Sequence, residues 1–352
     1  MKKIVIVDGD LIARRAVAKI LQEKTDHQLI VSGEPNEAVT IVENVNPDLI
    51  IIGIRHDVVE EIAMISALRV RFPMLPIIIL SERSEAGAAI AIAGLRLGAI
   101  DFITKSTDDR SMLFAERHLS KRLLPVVRSV LRLTKRSEEG AEIKQGGTQF
   151  ETLDSLWPLN LMVIGGCTGG PAALYKLVGS LPSTFTVPIV IVQHLPKFYT
   201  KVLAERLNNI SDLDIAEATD GETLKAGMVR FAPGGYHCEL FRDSNRTLLR
   251  VHRGPRENGV RPSIDVLFRS AGRLYGPGAM GVVLSGCGKD GVAGAGAIRQ
   301  AGGHIIVQDY RTALIPDLPL AVMQSGNYDL VSPVDHMVEL FLKRDDGVLG
   351  SV

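Results

Sequence analysis

The sequence has few cysteines, few aromatic residues and no excess of charge of either sign. Its 352 residues include three cysteines, one tryptophan and 5% aromatic residues, while Lys+Arg and Asp+Glu both number 40. Three scattered cysteines are too few for a disulfide framework or a cysteine-based zinc site, and they favour a reducing compartment. Balanced charge excludes a chain that is basic throughout, so no nucleic-acid partner is predicted.

Long apolar runs are also missing. No run approaches the roughly 20 apolar residues of a membrane-spanning helix, and the N-terminal run over residues 4–7 stops at Asp8, too early for a signal peptide. We therefore predict a cytoplasmic protein without membrane insertion. The length favours two domains at about 150 residues each, and a hydrophobic content of 46% is sufficient for a sizeable core in each.

What the sequence does contain is two series of apolar, strand-length runs that alternate with helical patterns. Such alternation predicts α/β architecture with two doubly wound parallel sheets. Residues 239–242 and 248–252 flank the turn-rich triplet 243–245 and predict a hairpin. The other predicted strands are 4–7, 29–31, 49–54, 76–80 and 99–103 in the first half, and 161–164, 188–193, 228–232, 279–285 and 304–308 in the second.

The predicted domains are residues 1–125 and 156–352, joined by a linker over 126–155. Around this join the chain is basic, since residues 117–136 contain seven Lys/Arg and no Asp or Glu. We interpret the basic stretch as the solvated face of a last helix, with a docking surface for an acidic partner as the alternative.

In open α/β sheets, chemistry collects beyond the carboxyl ends of the strands. Cys167 lies there, in a G-x-C-x-G turn between a strand and a helix that begins near Gly170. This is the spacing of a nucleophile elbow with Cys in place of Ser, and the helix N-terminus would favour a thiolate. The alternative is a tight turn in which Cys is merely small.

Two further strand ends carry His194 and Asp290. His194 is placed to act as a base toward a nucleophile one strand away, or it is a surface histidine at the start of a loop. Asp290 could orient the imidazole, or it could cap the helix that follows.

The turn that contains Asp290 also matches a different motif. Gly286, Gly288 and Gly291 fit G-x-G-x-x-G after an apolar strand, and Asp309 follows at the distance expected of a ribose-binding acid. This pattern keeps dinucleotide binding as an alternative. Asp290 opposes it, because a carboxylate in that loop would repel a pyrophosphate.

The second half of the chain contains five longer motifs: IGGCTGGP (164–171), VQHLP (192–196), FAPGGYH (231–237), RPSIDVLFRSAG (261–272) and LSGCGKDGVAG (284–294). With these motifs, residues from about 159 to 334 resemble the catalytic domain of the chemotaxis protein-glutamate methylesterases. The resemblance implies Cys167 as the nucleophile where the family has serine, His194 as the base and Asp290 as the orienting acid. It also implies a Rossmann-like fold for this domain.

The same resemblance implies the rest of the reaction. Backbone N–H groups at Thr168 and in the turn Gly286, Cys287 and Gly288 would bind the oxyanion, which makes that glycine-rich turn a catalytic loop. The substrates would be glutamate methyl esters on the cytoplasmic helices of a chemoreceptor, with deamidation of glutamines as a related activity. No cofactor is implied for this chemistry.

The first domain resembles a response-regulator receiver, a flavodoxin-like module, which implies a chemotaxis histidine kinase as a second partner. The phosphoacceptor position holds Gly53, and Asp57 lies four residues later, so we expect no phosphorylation by the usual route. The acids could hold Mg²⁺ only weakly. The two changes together favour, as an alternative, a weak or inactive homologue that acts as a binding module in two-component signalling. The pocket residues that match the receiver family are Asp8, Asp10, Ser81 and Lys105.

Overall fold

The computed structural model describes residues 1–54, 58–105, 112–136 and 159–349. The chain divides into two compact units, Met1–Ile143 and Lys144–Val352. Within the described ranges, no helix is long and apolar enough to cross a membrane.

The described part of the first unit contains a parallel sheet of five strands in the order β2-β1-β3-β4-β5, which is the flavodoxin-like order. Its strands are apolar runs, and those of β1, β3 and β4 are buried because helices cover both faces. The strands are β1 (Lys3–Val7), β2 (Gln28–Ser32), β3 (Leu49–Gly53), β4 (Ile77–Ser81) and β5 (Asp101–Thr104); the helices are α1 (Leu11–Lys24), α2 (Ala38–Val45), α3 (Val58–Arg71), α4 (Glu85–Arg96) and α5 (Met112–Arg136).

Helix α5 continues to Arg136 and therefore includes the first residues of the predicted linker. The remainder of that linker, 137–155, lies outside the described residues, and the domain boundary stays a prediction. In the described part of α5, Arg117, Lys121 and Arg128 are exposed while leucines and valines of the opposite face are buried. This arrangement agrees with a solvated basic face.

The second unit, over its described residues, has a parallel sheet of seven strands in the order β14-β13-β12-β6-β7-β9-β8, and an antiparallel hairpin β10-β11. Its core is formed by side chains from both faces of the sheet and from the helices that pack against them. The strands are β6 (Leu161–Gly166), β7 (Ile189–Gln193), β8 (Asp214–Glu217), β9 (Met228–Phe231), β10 (His237–Asp243), β11 (Arg246–His252), β12 (Ala279–Val283), β13 (His304–Gln308) and β14 (Leu330–Ser332); the helices are α6 (Gly170–Leu177), α7 (Tyr199–Asn208), α8 (Ile264–Tyr275), α9 (Val292–Gln300), α10 (Asp317–Gln324) and α11 (Val334–Leu349).

The predicted α/β architecture, both parallel sheets and the hairpin are confirmed, and each predicted strand end lies within two residues of the observed one. The strands that the sequence did not reveal are β8 and β14, which form the two edges of the larger sheet. Both are short and only partly buried, so neither leaves a strong apolar pattern.

The strand order places the reactive residues. Starting from β6, the chain moves to β7 on one side and later returns to β12 on the other side. The carboxyl ends of these strands form the topological switch point, which is where ligands bind in open α/β sheets. Cys167 follows β6, His194 follows β7, and Asp290 lies beyond β12.

Candidate active site

Cys167 lies in a sharp turn between β6 and α6. Its N–H donates to the Ser285 carbonyl (3.0 Å), and its own carbonyl accepts from the Gly170 N–H (2.9 Å), which closes the turn. Gly169 has a φ of 80°, in the left-handed region that glycine adopts without strain. The turn leaves Cys167 partly exposed at the N-terminus of α6.

Gln193 supports this turn from the neighbouring strand. Its Nε2 donates to the Cys167 carbonyl (2.5 Å). A β-carbon at Gly166 or Gly170 would come within 2.7 Å or 2.2 Å of the Gln193 Oε1, so both glycines make room for the amide. No pattern in the sequence indicates this role for Gln193, which directly precedes His194.

His194 and Asp290 form a buried pair, with Nε2 and Oδ2 2.8 Å apart. The predicted alternative of a surface histidine is therefore wrong. Asp290 also accepts hydrogen bonds from the Ser263 hydroxyl (2.7 Å), the Ile264 N–H (2.7 Å) and the Asn258 amide (2.9 Å). Burial raises the pKa of Asp290, but the bonds from His194, Ser263 and Ile264 outweigh it and lower the pKa to about 2. Asp290 is an anion at neutral pH.

The alternative role for Asp290, a cap on the following helix, is also wrong. The residue at the N-cap of α9 is Gly291, and the Asp290 side chain accepts no hydrogen bond from that helix end. Asp265 instead holds the segment, because its Oδ1 accepts the N–H groups of Gly291 (2.9 Å) and Gly294 (2.6 Å). Because Asp265 accepts these N–H groups, the Asp290 carboxylate is available to His194.

The proton of the pair resides on the imidazole. Burial lowers the pKa of His194, but its hydrogen bonds to Asp290 and to the Cys167 side chain outweigh burial and raise the pKa to about 9. His194 therefore contacts Asp290 through Nε2 and also interacts with the Cys167 side chain. Sulfur, imidazole and carboxylate are therefore connected in one chain of hydrogen bonds, the arrangement that activates a nucleophile.

The turn after β12 packs against Cys167. A β-carbon at Gly286 would lie 2.7 Å from the Cys167 Cβ, so only glycine fits there. Cys287, the next residue, hydrogen-bonds to Cys167, and this bond together with burial raises the pKa of its thiol far above the usual range. Cys287 is therefore a neutral thiol beside the nucleophile.

The backbone around this contact offers unpaired donors. Within the described residues, neither the Thr168 N–H nor the Cys287 N–H donates to a backbone carbonyl. The Gly286 N–H donates to the Ile315 carbonyl (3.0 Å), so the predicted oxyanion role of Gly286 is wrong. Gly288, which follows Cys287, has a φ of 83° and is exposed. Backbone N–H groups beside a nucleophile are the components of an oxyanion hole.

The structure does not support dinucleotide binding, the alternative that the glycine pattern left open. Asp290 is buried as an anion in the loop that would have to accept the phosphates. The carboxylate of Asp309, the candidate for the ribose, is bound by the Arg311 side chain (2.8 Å) and by the Arg311 N–H (2.9 Å).

In the first unit the structure brings Asp8, Asp10 and Lys105 together. Lys105 Nζ lies 2.9 Å from Asp8 Oδ1 and 3.8 Å from Asp10 Oδ2. A β-carbon at Gly53 would lie 1.8 Å from the Asp8 Cγ, so the Asp8 carboxylate fills the space of a side chain at that position. The Ser81 hydroxyl donates to the Gly87 carbonyl in α4 (2.7 Å).

These residues do not fit a Mg²⁺ ion. The Lys105 ammonium already lies against both carboxylates, and Gly53 supplies no third carboxylate. Burial raises the pKa of Asp8, and the nearby Lys105 lowers it only in part. Asp57, the remaining acid of this region, lies outside the described residues.

Comparison with known families accounts for both units. A family model described as CheB methylesterase matches residues 162–341, and one described as response regulator receiver domain matches residues 4–115. The chain belongs to the CheB methylesterase family. The predicted combination of a receiver domain with a Rossmann-like methylesterase domain is thus confirmed.

Relatives of this CheB family member match over nearly the full length. The protein-glutamate methylesterase/protein-glutamine glutaminase of Trichodesmium erythraeum is 35% identical, covering 97% of this chain and 98% of that protein. The protein of the same name from Clostridium acetobutylicum is 33% identical, covering 97% of each. The crystal structure of the Thermotoga maritima CheB methylesterase catalytic domain matches with a TM-score of 0.51 and 36% identity, covering 53% of this chain and 98% of that one.

Proposed function

We propose that the protein hydrolyses glutamate methyl esters on the cytoplasmic helices of a chemoreceptor and releases methanol. Deamidation of glutamines at such sites is a related activity, since both substrates are γ-carboxyl derivatives of the same side chain. The observation that carries the proposal is the hydrogen-bonded chain from Cys167 through His194 to Asp290 at the switch point of the sheet. The names of the relatives support the substrate class.

The reaction follows from this chain of hydrogen bonds. The Cys167 sulfur, with its proton held by His194, attacks the ester carbonyl, and the electron pair of the C=O bond moves to the oxygen. When the tetrahedral intermediate collapses, His194 gives its proton to the departing methoxide, which leaves as methanol. Asp290 keeps the imidazolium oriented throughout.

The second half of the reaction uses water. His194, now neutral, takes a proton from a water molecule that attacks the thioester, and the sulfur of Cys167 leaves with the imidazolium restored beside it. The N–H groups of Thr168 and Cys287 would stabilise the oxyanion in both halves, by about 3–4 kcal/mol for each strong donor. Since the chain and water supply every group, we propose that the reaction needs no metal or organic cofactor.

For the receiver domain we propose a role without phosphorylation. An acyl phosphate needs a carboxylate nucleophile, which Gly53 does not provide, and the Asp8–Lys105 pair is buried in the pocket. The receiver domain places the chain in two-component signalling. A chemoreceptor and a chemotaxis histidine kinase are the proposed partners, and the cytoplasm is the proposed location.

Methanol release from methylated chemoreceptor tests the function directly. The wild-type protein should release methanol, and Cys167→Ala should release none above background. If the wild type does not exceed Cys167→Ala, the esterase proposal is wrong and a binding module in the signalling complex takes its place. A Cys167→Ser variant much faster than wild type would identify the natural site as a weakened esterase.

A further inference from the structure

Two of the three cysteines of the chain lie side by side at the switch point. Cys167 follows β6, and Cys287 lies in the turn after β12. The Cys167 N–H bonds to the carbonyl of Ser285 (3.0 Å), and a β-carbon on Gly286 would be 2.7 Å from the Cys167 Cβ. The two backbone segments are therefore in contact. The Cys167 thiol raises the pKa of the Cys287 thiol, so the two side chains are close enough to interact.

The surroundings of the pair favour oxidation of one sulfur. Cys167 and Cys287 are both partly exposed, whereas the third cysteine, Cys238, is completely buried in the core. His194, whose pKa is raised in part by its hydrogen bond to the Cys167 side chain, is the base that can take the proton of this thiol. Peroxides react with exposed thiolates in preference to buried or neutral thiols, so Cys167 is the sulfur that reacts first.

We propose that Cys167 and Cys287 form a peroxide-sensitive dithiol switch that closes to a disulfide and withdraws the nucleophile. A nearby second thiol distinguishes such a switch from simple oxidative damage, because it resolves the first oxidation product before further oxygen atoms add. Cys287 is the thiol placed to do this, because its turn is in contact with Cys167.

The chemistry proceeds in two balanced steps. The Cys167 thiolate attacks one oxygen of hydrogen peroxide, the O–O bond breaks, and the products are a sulfenic acid on Cys167 and a hydroxide ion that is protonated to water. The Cys287 sulfur then attacks the Cys167 sulfur, the S–O bond breaks, and hydroxide leaves with the Cys287 proton as a second water. Two thiols are oxidised and one peroxide is reduced. A dithiol reductant reverses the closure by exchange.

Formation of the disulfide does not depend on the proposed function, although the loss of activity rests on it. The full chain is treated with hydrogen peroxide and then assayed by thiol alkylation, intact mass and peptide mapping. We expect one of the three thiols to remain, the mass of two hydrogen atoms to be lost, and the peptides of Cys167 and Cys287 to be joined. Dithiothreitol should restore all three thiols.

Variants separate the switch from general oxidation. Cys238→Ala should still form the disulfide and keep no thiol. In Cys287→Ala and Cys287→Ser, Cys167 should instead proceed to sulfinic acid, which dithiothreitol does not reverse. The proposal is overturned if the wild type keeps all three thiols, or if its Cys167 becomes a sulfinic acid while Cys287 remains open to alkylation.

Methanol release before and after peroxide distinguishes the two proposals. We expect oxidation to abolish release and dithiothreitol to restore it. If the disulfide forms in a protein that released no methanol beforehand, the esterase proposal fails while the disulfide stands. If the disulfide forms and methanol release continues undiminished, the switch as a control of the nucleophile is refuted.

Discussion

Both units hold a buried pair of opposite charges at the carboxyl ends of parallel strands, yet only one pair lies beside a nucleophile. In the second unit Asp290 is paired with His194 at 2.8 Å, and the partly exposed Cys167 lies against that pair. In the first unit Asp8 is paired with Lys105 at 2.9 Å, and the phosphoacceptor position holds Gly53, which has no side chain to react. A strand-end ion pair is therefore poised for chemistry when a nucleophile lies between it and the substrate, and it is structural when no nucleophile is present.

Among the substitutions that test this contrast, we expect Asp290→Asn to have the largest effect, a decrease in kcat. The variant keeps the shape of the site but removes the charge that holds the imidazolium, and analogous changes in catalytic triads lower kcat by about 10⁴-fold. Steady-state methanol release measures the effect. Asp309→Asn, which changes another buried strand-end carboxylate outside the chain of hydrogen bonds, should keep most of the wild-type rate. An Asp290→Asn variant with wild-type kcat would show that the pair is structural, as in the first unit.

The free energy of unfolding of the second unit should also depend on pH, because of the His194–Asp290 pair. The pKa of His194 is raised to about 9 in the folded protein, against about 6.5 when unfolded. Its contribution, about 3 kcal/mol from that difference, is thus fully present below pH 6.5 and is lost as the pH rises through 9. Since the pKa of Asp290 is lowered to about 2, its own contribution is present above its ordinary value of 3.8 and is lost as the pH falls through 2.

Urea unfolding at a series of pH values measures this contribution in the wild type and in His194→Gln. The gap in the free energy of unfolding between the two proteins should narrow between pH 6.5 and 9. A constant gap across that interval would mean that His194 is not protonated in the folded state.

A smaller effect is expected from Ser263→Ala. The hydroxyl donates to Asp290 (2.7 Å) and caps α8 at the Val266 N–H (3.4 Å). Loss of a hydrogen bond to a buried charge should lower the free energy of unfolding by about 1.5–3 kcal/mol. Ser211→Ala provides the matched control, because Ser211 accepts only the Leu213 N–H at a partly buried position. Equal losses in the two variants would contradict a special role for Ser263.

The carboxyl-end rule explains how much of the site could be predicted from sequence. Cys167, His194 and Asp290 each follow an apolar strand, so a parallel sheet brings them to one edge whatever the details of packing. The residues that serve them were not predictable in this way. Ser263 and Asn258 reach Asp290 across 27 and 32 residues, and neither residue follows a strand of the parallel sheet.

The same limit applies in the first unit. The replacement of an acid by Gly53 was visible in the sequence, and so was the match of Asp8 and Lys105 to the receiver family. The overlap of the Asp8 carboxylate with the space above Gly53 was not visible, because it depends on the rotamer that Asp8 adopts toward Lys105. Contact between Cys167 and Cys287 likewise depends on the exact approach of two turns.

The smallest effect is predicted for phosphorylation, where we expect no change. Acetyl phosphate with Mg²⁺ should leave methanol release by the wild type unaltered, and phosphate analysis should detect no acyl phosphate on the chain. Gly53→Asp should not restore phosphorylation, since its β-carbon would lie 1.8 Å from the Asp8 Cγ and Lys105 would still neutralise the acids. Gly33→Ala, where the close neighbour is the Arg14 guanidinium and not a buried carboxylate, is the control for folding. A stable acyl phosphate on the wild type would show that the first unit is poised for chemistry too, and the contrast between the units would collapse.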